Sequence, residues 1–303
     1  MAADEEWYTF TGGRIPLGVT RVRIDESLTV IPARAFQWNR NIKEVECHVD
    51  VKTVKECAFC TCNSLRIVRM PGVEVVEKKA FSCCFALTDV ECGKLETIEE
   101  RAFGGCISLT SINLPSAKIV ESFAFYNTAL TNIKFGKELE SIGVGAFCNC
   151  TSLERITIPL KDGIIAADDT FQGCENLKHV DLVEEAVLRN TIAALLSDEW
   201  KIDMNRDLLS IDQILPNTLA GGGIGIDAGG KALAIRMWIR AVLRTIVQYK
   251  AQHRSLLNEA ANALQHALPN DIVNKSVLPF LKLPSKRFKE RITKKKRSML
   301  LLE

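Results

Sequence analysis

Histidine is almost missing from this 303-residue chain: His48, His179, His253 and His266 are all there are. None lies in a recognisable nucleophile, zinc-protease or phosphate-binding motif, and no enzymatic activity or cofactor is expected. No stretch reaches 18 consecutive apolar residues, which argues against a membrane-spanning helix. An apolar leader is also lacking, because Met1–Thr11 carries Asp4, Glu5 and Glu6 and no apolar run. Cysteine is absent from the last 129 residues, although 11 cysteines lie between Cys47 and Cys174. An odd count without a leader favours free thiols in a reducing cytoplasm over a disulfide framework. With 47% of its residues apolar, the chain is not a disordered one.

What the chain has in abundance is repetition. Phe36, Phe59, Phe81, Phe103, Phe125, Phe147 and Phe171 follow one another at steps of 23, 22, 22, 22, 22 and 24 residues. A period in the low twenties marks a stacked solenoid. Alignment on the Phe puts the other positions into columns. Five residues earlier stand Ile31, Val54, Val76, Ile98, Val120 and Ile142, with Ala166 the weak member. An alanine precedes the Phe in all units but the last, where Thr170 takes its place. Three residues after it come Asn39, Cys62, Cys84, Cys106, Thr128, Cys150 and Cys174. Each unit closes on alternating apolar residues, such as Val68 and Met70 or Ile156 and Ile158, which read as a short half-buried strand. Pro71, Pro115 and Pro159 end three of these strands. One unit cannot bury its apolar side alone, so the units must stack.

These residues resemble the BspA-like leucine-rich repeats, and Ile98–Pro115 (IEERAFGGCISLTSINLP) follows that pattern almost letter for letter. The resemblance covers about half the chain. It implies a curved or nearly straight solenoid that binds partner molecules, often as a surface adhesin. The order of repeats and then a helical tail also resembles leucine-rich-repeat proteins of diatoms. Two units depart from the pattern: the Phe125 unit brings its Leu130 one residue early, and the Phe171 unit is long and Ala-rich.

Five of the cysteines sit in one repeat column, where Cys is expected as a small packing residue. Cys57-x-x-Cys60 and Cys148-x-Cys150 invite a zinc reading, but Cys62 and Cys150 belong to the core and the two groups are four rungs apart. No metal is expected. Ladder neighbours Cys62, Cys84 and Cys106 could reach disulfide distance only by leaving their packing rotamers.

Residues alternating with the buried strand positions point outward. They include Glu44, Glu46, Ile67, Arg69, Asp89, Glu91, Ser111, Asn113, Asn132, Lys134, Arg155, Thr157, His179 and Asp181. This face is either a solvated surface or a polar docking site for a protein partner. It has no aromatic anchor of the kind that dominates interface energetics.

After Leu182 the periodicity turns helical. Residues 184–216 are expected to form helices that cover the open last rung. Trp7, Tyr8 and Phe10 take that role over the first, with Val19–Ile24 as a leading strand. Residues 217–230 read as a Gly-rich linker, since Gly223, Gly225 and Gly229 have the wrong spacing for a nucleotide loop. Lys231–Leu268 contains neither Gly nor Pro and reads as one long amphipathic helix, packed back on the chain or docked on a second copy or another protein. Arg236, Arg240 and Arg244 form a basic stripe on it.

Charge divides unevenly, from −5 over residues 1–183 to +7 over 184–303. Most of the excess lies in Lys286, Arg287, Lys289, Arg291, Lys294, Lys295, Lys296 and Arg297 within a tail spanning 269–303. That run is a solvated tail, a nuclear-import signal, or an electrostatic tether to nucleic acid or anionic lipid. The expected organisation is an N-terminal cap (1–29), seven leucine-rich repeats (30–183) and the C-terminal helical region. The expected function is that of a non-catalytic interaction scaffold in the cytoplasm, with the tether and a nuclear location as the alternatives.

Overall fold

A computed structural model of the chain describes residues 6–195, 197–218 and 230–267. It divides into two compact units, Met1–Thr191 with Asn205–Leu243, and Ile192–Met204 with Arg244–Glu303. The expected Gly-rich linker, apart from its outermost residues, and the whole basic tail lie outside the described residues.

The first unit is a stack of rungs with two parallel ladders. One ladder runs through β1 (Tyr8–Phe10), β2 (Arg21–Ile24), β4 (Glu44–Glu46), β6 (Ile67–Arg69) and β8 (Asp89–Glu91). It resumes through β10 (Ser111–Leu114), β12 (Asn132–Phe135), β14 (Arg155–Ile158) and β15 (His179–Leu182). The second ladder consists of two-residue strands: β3 (Val30–Ile31), β5 (Thr53–Val54), β7 (Val75–Val76), β9 (Thr97–Ile98), β11 (Ile119–Val120) and β13 (Ser141–Ile142). An isolated bridge from Ile142 to Ile165 carries it to the last rung. Registers match the repeat columns, with Val22, Val45, Val68 and Val90 successive partners in one ladder and Ile31, Val54, Val76 and Ile98 in the other.

Between the ladders the repeat Phe rings form one column. Neighbouring rings from Phe36 to Phe171 are 4.7 to 5.6 Å apart, with planes within 7° of parallel. Phe10 adds an eighth ring, tilted by 51° at 4.6 Å from Phe36. From Phe36 to Phe147 the ring residues share one backbone bond to the next rung: Phe59 N donates to Ala80 O at 2.7 Å, and Phe103 N donates to Ala124 O at 2.8 Å. The chain turns sharply on both sides of the ring. Left-handed residues stand two before it (Arg34, Cys57, Lys79, Arg101, Phe123) and two after it (Trp38, Thr61, Cys83, Asn127, Asn149). Only Gly takes this conformation without cost, yet most rungs place an ordinary side chain there.

Carboxylates bind the rungs on the turn side. Glu77, Glu99 and Glu121 accept the amides of Glu56, Lys78 and Glu100, each from the preceding rung, at 3.0, 2.9 and 3.1 Å. These glutamates precede the Phe by four and serve backbone groups that the ladder leaves open. At the strand ends the rungs pack tightly, since a methyl group on Gly72 would lie 1.8 Å from Val49 O.

The two ends are closed differently. At the start, Tyr8–Phe10 does more than lie over the first rung: it pairs in parallel with Arg21–Ile24 and adds a strand. Trp7 then lies over the Arg21 and Arg23 guanidinium groups. At the other end, α1 (Glu185–Ala193) follows the last strand, and α2 (Asp198–Ile214) and α3 (Gly230–Ala267) follow it. Asp212 of α2 accepts the Val180 amide of β15 at 3.4 Å. Lys231, at the start of α3, is only 3% exposed and donates to the carbonyls of Glu175 and Leu177 at 3.1 and 2.6 Å. A buried ammonium needs such partners. Trp238 Nε1 donates to Asp207 O at 2.8 Å. In the second unit Trp200 stacks on Tyr249 at 5.3 Å, and the Tyr249 hydroxyl donates to Asp203 at 2.9 Å.

Candidate interaction surface

The alternation written in each closing strand places one row of side chains in the core and the next on the surface. Val45, Val68, Ile133 and Ile156 are at most 1% exposed, while the residues between them face out. Two outward rows result. One contains Arg21, Glu44, Ile67, Asp89, Ser111, Asn132, Arg155 and His179; the other contains Arg23, Glu46, Arg69, Glu91, Asn113, Lys134, Thr157 and Asp181.

The charged members fall into three groups. Near the N-terminus Glu44 and Glu46 are tied to Arg21 and Arg23 at 3.2 and 2.9 Å. Near the C-terminus Arg155 makes two bonds, 2.7 and 2.9 Å, to the Asp181 carboxylate, and His179 lies 3.6 Å from Asp212. In the middle, Arg69, Asp89, Glu91 and Lys134 form no ion pair among the described residues.

That middle region is also where the ladder is interrupted. β6 is joined to β8 by Asp89 N to Arg66 O at 3.1 Å and Met70 N to Glu91 O at 2.9 Å. β10 is joined to β12 over four residue pairs. Among the described residues no backbone pairing joins β8 to β10, so one ladder becomes a five-stranded and a four-stranded sheet. The buried residues at this seam are the leakiest of their column up to β14, with Val90 at 7% and Ile112 at 6% exposed. Gly93 shows the same loosening, since an added methyl group would meet nothing within 4 Å.

A shallow cavity of about 490 Å³ lies over the seam. Asp89, Ser111, Asn113, Asn132, Lys134, Arg155 and Thr157 form its polar walls, and Val90, Ile112 and Ile133 line it with apolar surface. Seven of the residues expected on the outward face therefore meet here: Asp89, Ser111, Asn113, Asn132, Lys134, Arg155 and Thr157. Glu44, Glu46, Arg69, Glu91, His179 and Asp181 lie outside the lining. Ser111, Asn132 and Thr157 share the rows but carry no charge, and the interruption that gathers them left no mark in the repeat spacing.

Similarity to known proteins follows the coil. The model of the BspA type leucine-rich repeat region matches residues 17–120 and 74–191, in six copies. The chain belongs to this family. No curated protein sequence matches it. Among solved structures, a leucine-rich repeat protein of T. pallidum is 20% identical with a TM-score of 0.37, over 63% of this chain and 84% of its own. A Bacteroides ovatus leucine-rich repeat protein is 22% identical with a TM-score of 0.28, over 55% of this chain and 61% of its own, less than two thirds of that protein. The pneumococcal vaccine antigen PcpA is 15% identical with a TM-score of 0.29, over 60% of this chain and 79% of its own.

In this BspA type chain the column cysteines do more than fill space. Cys62, Cys84, Cys106, Cys150 and Cys174 donate their thiols to the carbonyls of Phe36, Phe59, Phe81, Phe125 and Phe147 in the preceding rung, at 2.9 to 3.2 Å. Burial holds them protonated, pushing Cys62 to about 12 and Cys150 to about 11 and raising Cys106 further. All 11 cysteines are free thiols. Two residues of the basic stripe on α3 have internal partners: Arg236 pairs with Asp168, and Arg240 Nε donates to Asp162 at 2.9 Å. No described helix is long and apolar enough to cross a membrane.

Proposed function

We propose that the chain is a non-catalytic scaffold that docks a protein partner on its strand face, centred on the seam between β8 and β10. The observation that carries this reading is the cavity at the seam. It combines an apolar lining with hydrogen-bonding walls and side chains left without internal ion partners, and its volume lies within the range of ordinary ligand sites. Interfaces gain specificity from such groups, because a partner that leaves them unpaired loses affinity. Elsewhere on the face Glu44, Glu46 and Asp181 are neutralised by Arg21, Arg23 and Arg155.

The test is affinity purification with the full-length chain, wild type against Ser111→Trp. Ser111 is exposed and lines the cavity, so the indole fills it without entering the core. A partner bound at the seam is lost from the Ser111→Trp sample, provided circular dichroism shows an unchanged fold. Partners captured equally by both proteins would place binding elsewhere.

A further inference from the structure

Every rung turns around its Phe, and only one rung carries a cysteine both two residues before the ring and one after it, Cys57 and Cys60. Cys60 N donates to Cys57 O at 3.1 Å, which closes the turn. The Phe103 rung makes the same turn, with Gly104 N donating to Arg101 O at 3.0 Å. Cys57 and Arg101 are both left-handed, at φ 55° and 56°. Gly104 therefore measures the spacing across this turn: a methyl group added to it would lie 3.4 Å from the Arg101 Cβ. A disulfide needs Cβ atoms about 3.5–4.5 Å apart. The turn thus holds its two ends at the near limit of bonding range. Accessibility divides the pair, since Cys60 is half-buried and Cys57 is 8% exposed. Arg34 and Lys79 take the place of Cys57 on the neighbouring rungs, where Arg34 N donates to Glu56 O and Cys57 N to Lys78 O. Burial, Cys60 and Glu56 push the Cys57 thiol up, while Lys79 and Arg34 pull it back.

We infer that Cys57 and Cys60 form a dithiol site that exchanges with small disulfides of the glutathione class. The Cys60 thiolate attacks one sulfur of the small disulfide, whose S–S bond breaks. One small thiol leaves, taking up the proton that Cys60 released, and Cys60 is left in a mixed disulfide. Cys57 then gives up its proton and attacks Cys60 Sγ, which expels the second small thiol. Two electrons and two protons have passed to the small disulfide, and the chain has gained one S–S bond. Arg34 and Lys79 favour the Cys57 thiolate at the moment of attack. The loop closed runs only from Cys57 to Cys60, so closure removes little entropy from the unfolded chain and leaves the bond open to reduction. The rung bonds from Cys57 N to Lys78 O and from Phe59 N to Ala80 O stay in place in both states. The five column cysteines do not compete, because they are buried and committed to Phe carbonyls. This site is on the turn side of the coil, so it stands or falls independently of docking at the seam.

The experiment treats the folded full-length chain with excess oxidised glutathione, quenches with acid, and alkylates the remaining thiols after unfolding. Mass spectrometry then reads the tryptic peptide Glu56–Arg66, which holds Cys57, Cys60 and Cys62. The expected peptide has lost two hydrogens and carries one alkyl group, on Cys62. It accumulates at least about tenfold faster than an oxidised form of any other cysteine. Cys57→Ser stops at the first step and keeps one glutathione on Cys60, whereas Cys60→Ser leaves the peptide unoxidised. Cys62→Ser, which removes the buried neighbour, retains the disulfide. Circular dichroism confirms that each variant is folded. Three alkylated thiols in the wild-type peptide would overturn the inference, as would glutathione retained on wild-type Cys60. A bond from Cys60 to Cys62 or to Cys83, the half-buried thiol on the next rung, would overturn it as well.

Discussion

Removing one ring from the middle of the Phe column measures how much the stack contributes. Phe103 is fully buried, with Phe81 at 5.2 Å on one side and Phe125 at 5.5 Å on the other, and planes within 4° of parallel. Truncating a buried Phe to Ala costs ~3–5 kcal/mol from lost burial and the cavity left behind. Two ring contacts are lost as well, and aromatic pairs are worth about 0.5–1.5 kcal/mol each beyond their area. Phe103→Ala therefore belongs at the upper end of the range, about 4–5 kcal/mol. Phe103→Leu keeps most of the apolar volume and loses only the ring pairs, for about 1–2 kcal/mol. Equilibrium urea denaturation followed by far-ultraviolet circular dichroism reads both values. A loss below about 1 kcal/mol for the Ala variant would contradict a buried column. Equal losses for Leu and Ala would show that volume is unimportant and would refute the packing argument.

Three further outcomes follow from particular contacts. Thr61 is β-branched and left-handed at φ 62°, and relieving that strain by Thr61→Gly should add about 0.5–1 kcal/mol in the same denaturation assay. A destabilised variant would show that the hydroxyl matters more than the backbone. Secondly, the buried column thiols have folded pKa values raised above the ordinary 9.0. Their contribution is complete below pH 9 and is lost as pH rises through the folded values, because the unfolded chain ionises first. Stability should be flat from pH 7 to 8 and then fall by about 1.4 kcal/mol per pH unit for each buried thiol above pH 9. Changing Cys62, Cys84, Cys106, Cys150 and Cys174 together to Ser should flatten that fall; an unchanged profile would rule the thiols out. Thirdly, Lys231→Met leaves the Glu175 and Leu177 carbonyls without their donor and should cost about 1.5–3 kcal/mol. A neutral result would mean that water replaces the ammonium.

The coil was legible in the sequence because its cause is periodic. Each Phe, its alanine and the alternating strand pair recur at a fixed spacing, and periodic burial is what a stack requires. The bonds between rungs were less legible. Glu77, Glu99 and Glu121 recur too, but a glutamate on a turn reads as a solvated charge until its distance to the amide of the rung before it is known. Cysteine in the core column reads as packing, and only coordinates show each thiol aimed at a Phe carbonyl. Arg236 and Arg240 read as a basic surface because their partners Asp168 and Asp162 lie in an irregular rung far away in sequence. On the strand face, alternation identified which residues point outward. It carried no information on where the ladder opens, since the unit from Phe81 to Phe103 keeps the 22-residue step of its neighbours. Pairing geometry, not residue spacing, makes the cavity.

Amide hydrogen exchange resolved by residue tests the open seam most directly. Were the ladder continuous, the amides of Ser111 and Asn113 would bond to the carbonyls of Thr88 and Val90, as Asp89 does to Arg66 one strand earlier. The account predicts that Ser111 and Asn113 exchange at least about 100-fold faster than Asn132 and Lys134, their register partners on the paired strand. Equal protection at all four amides would mean that the ladder is closed there, and the groove would have no structural basis.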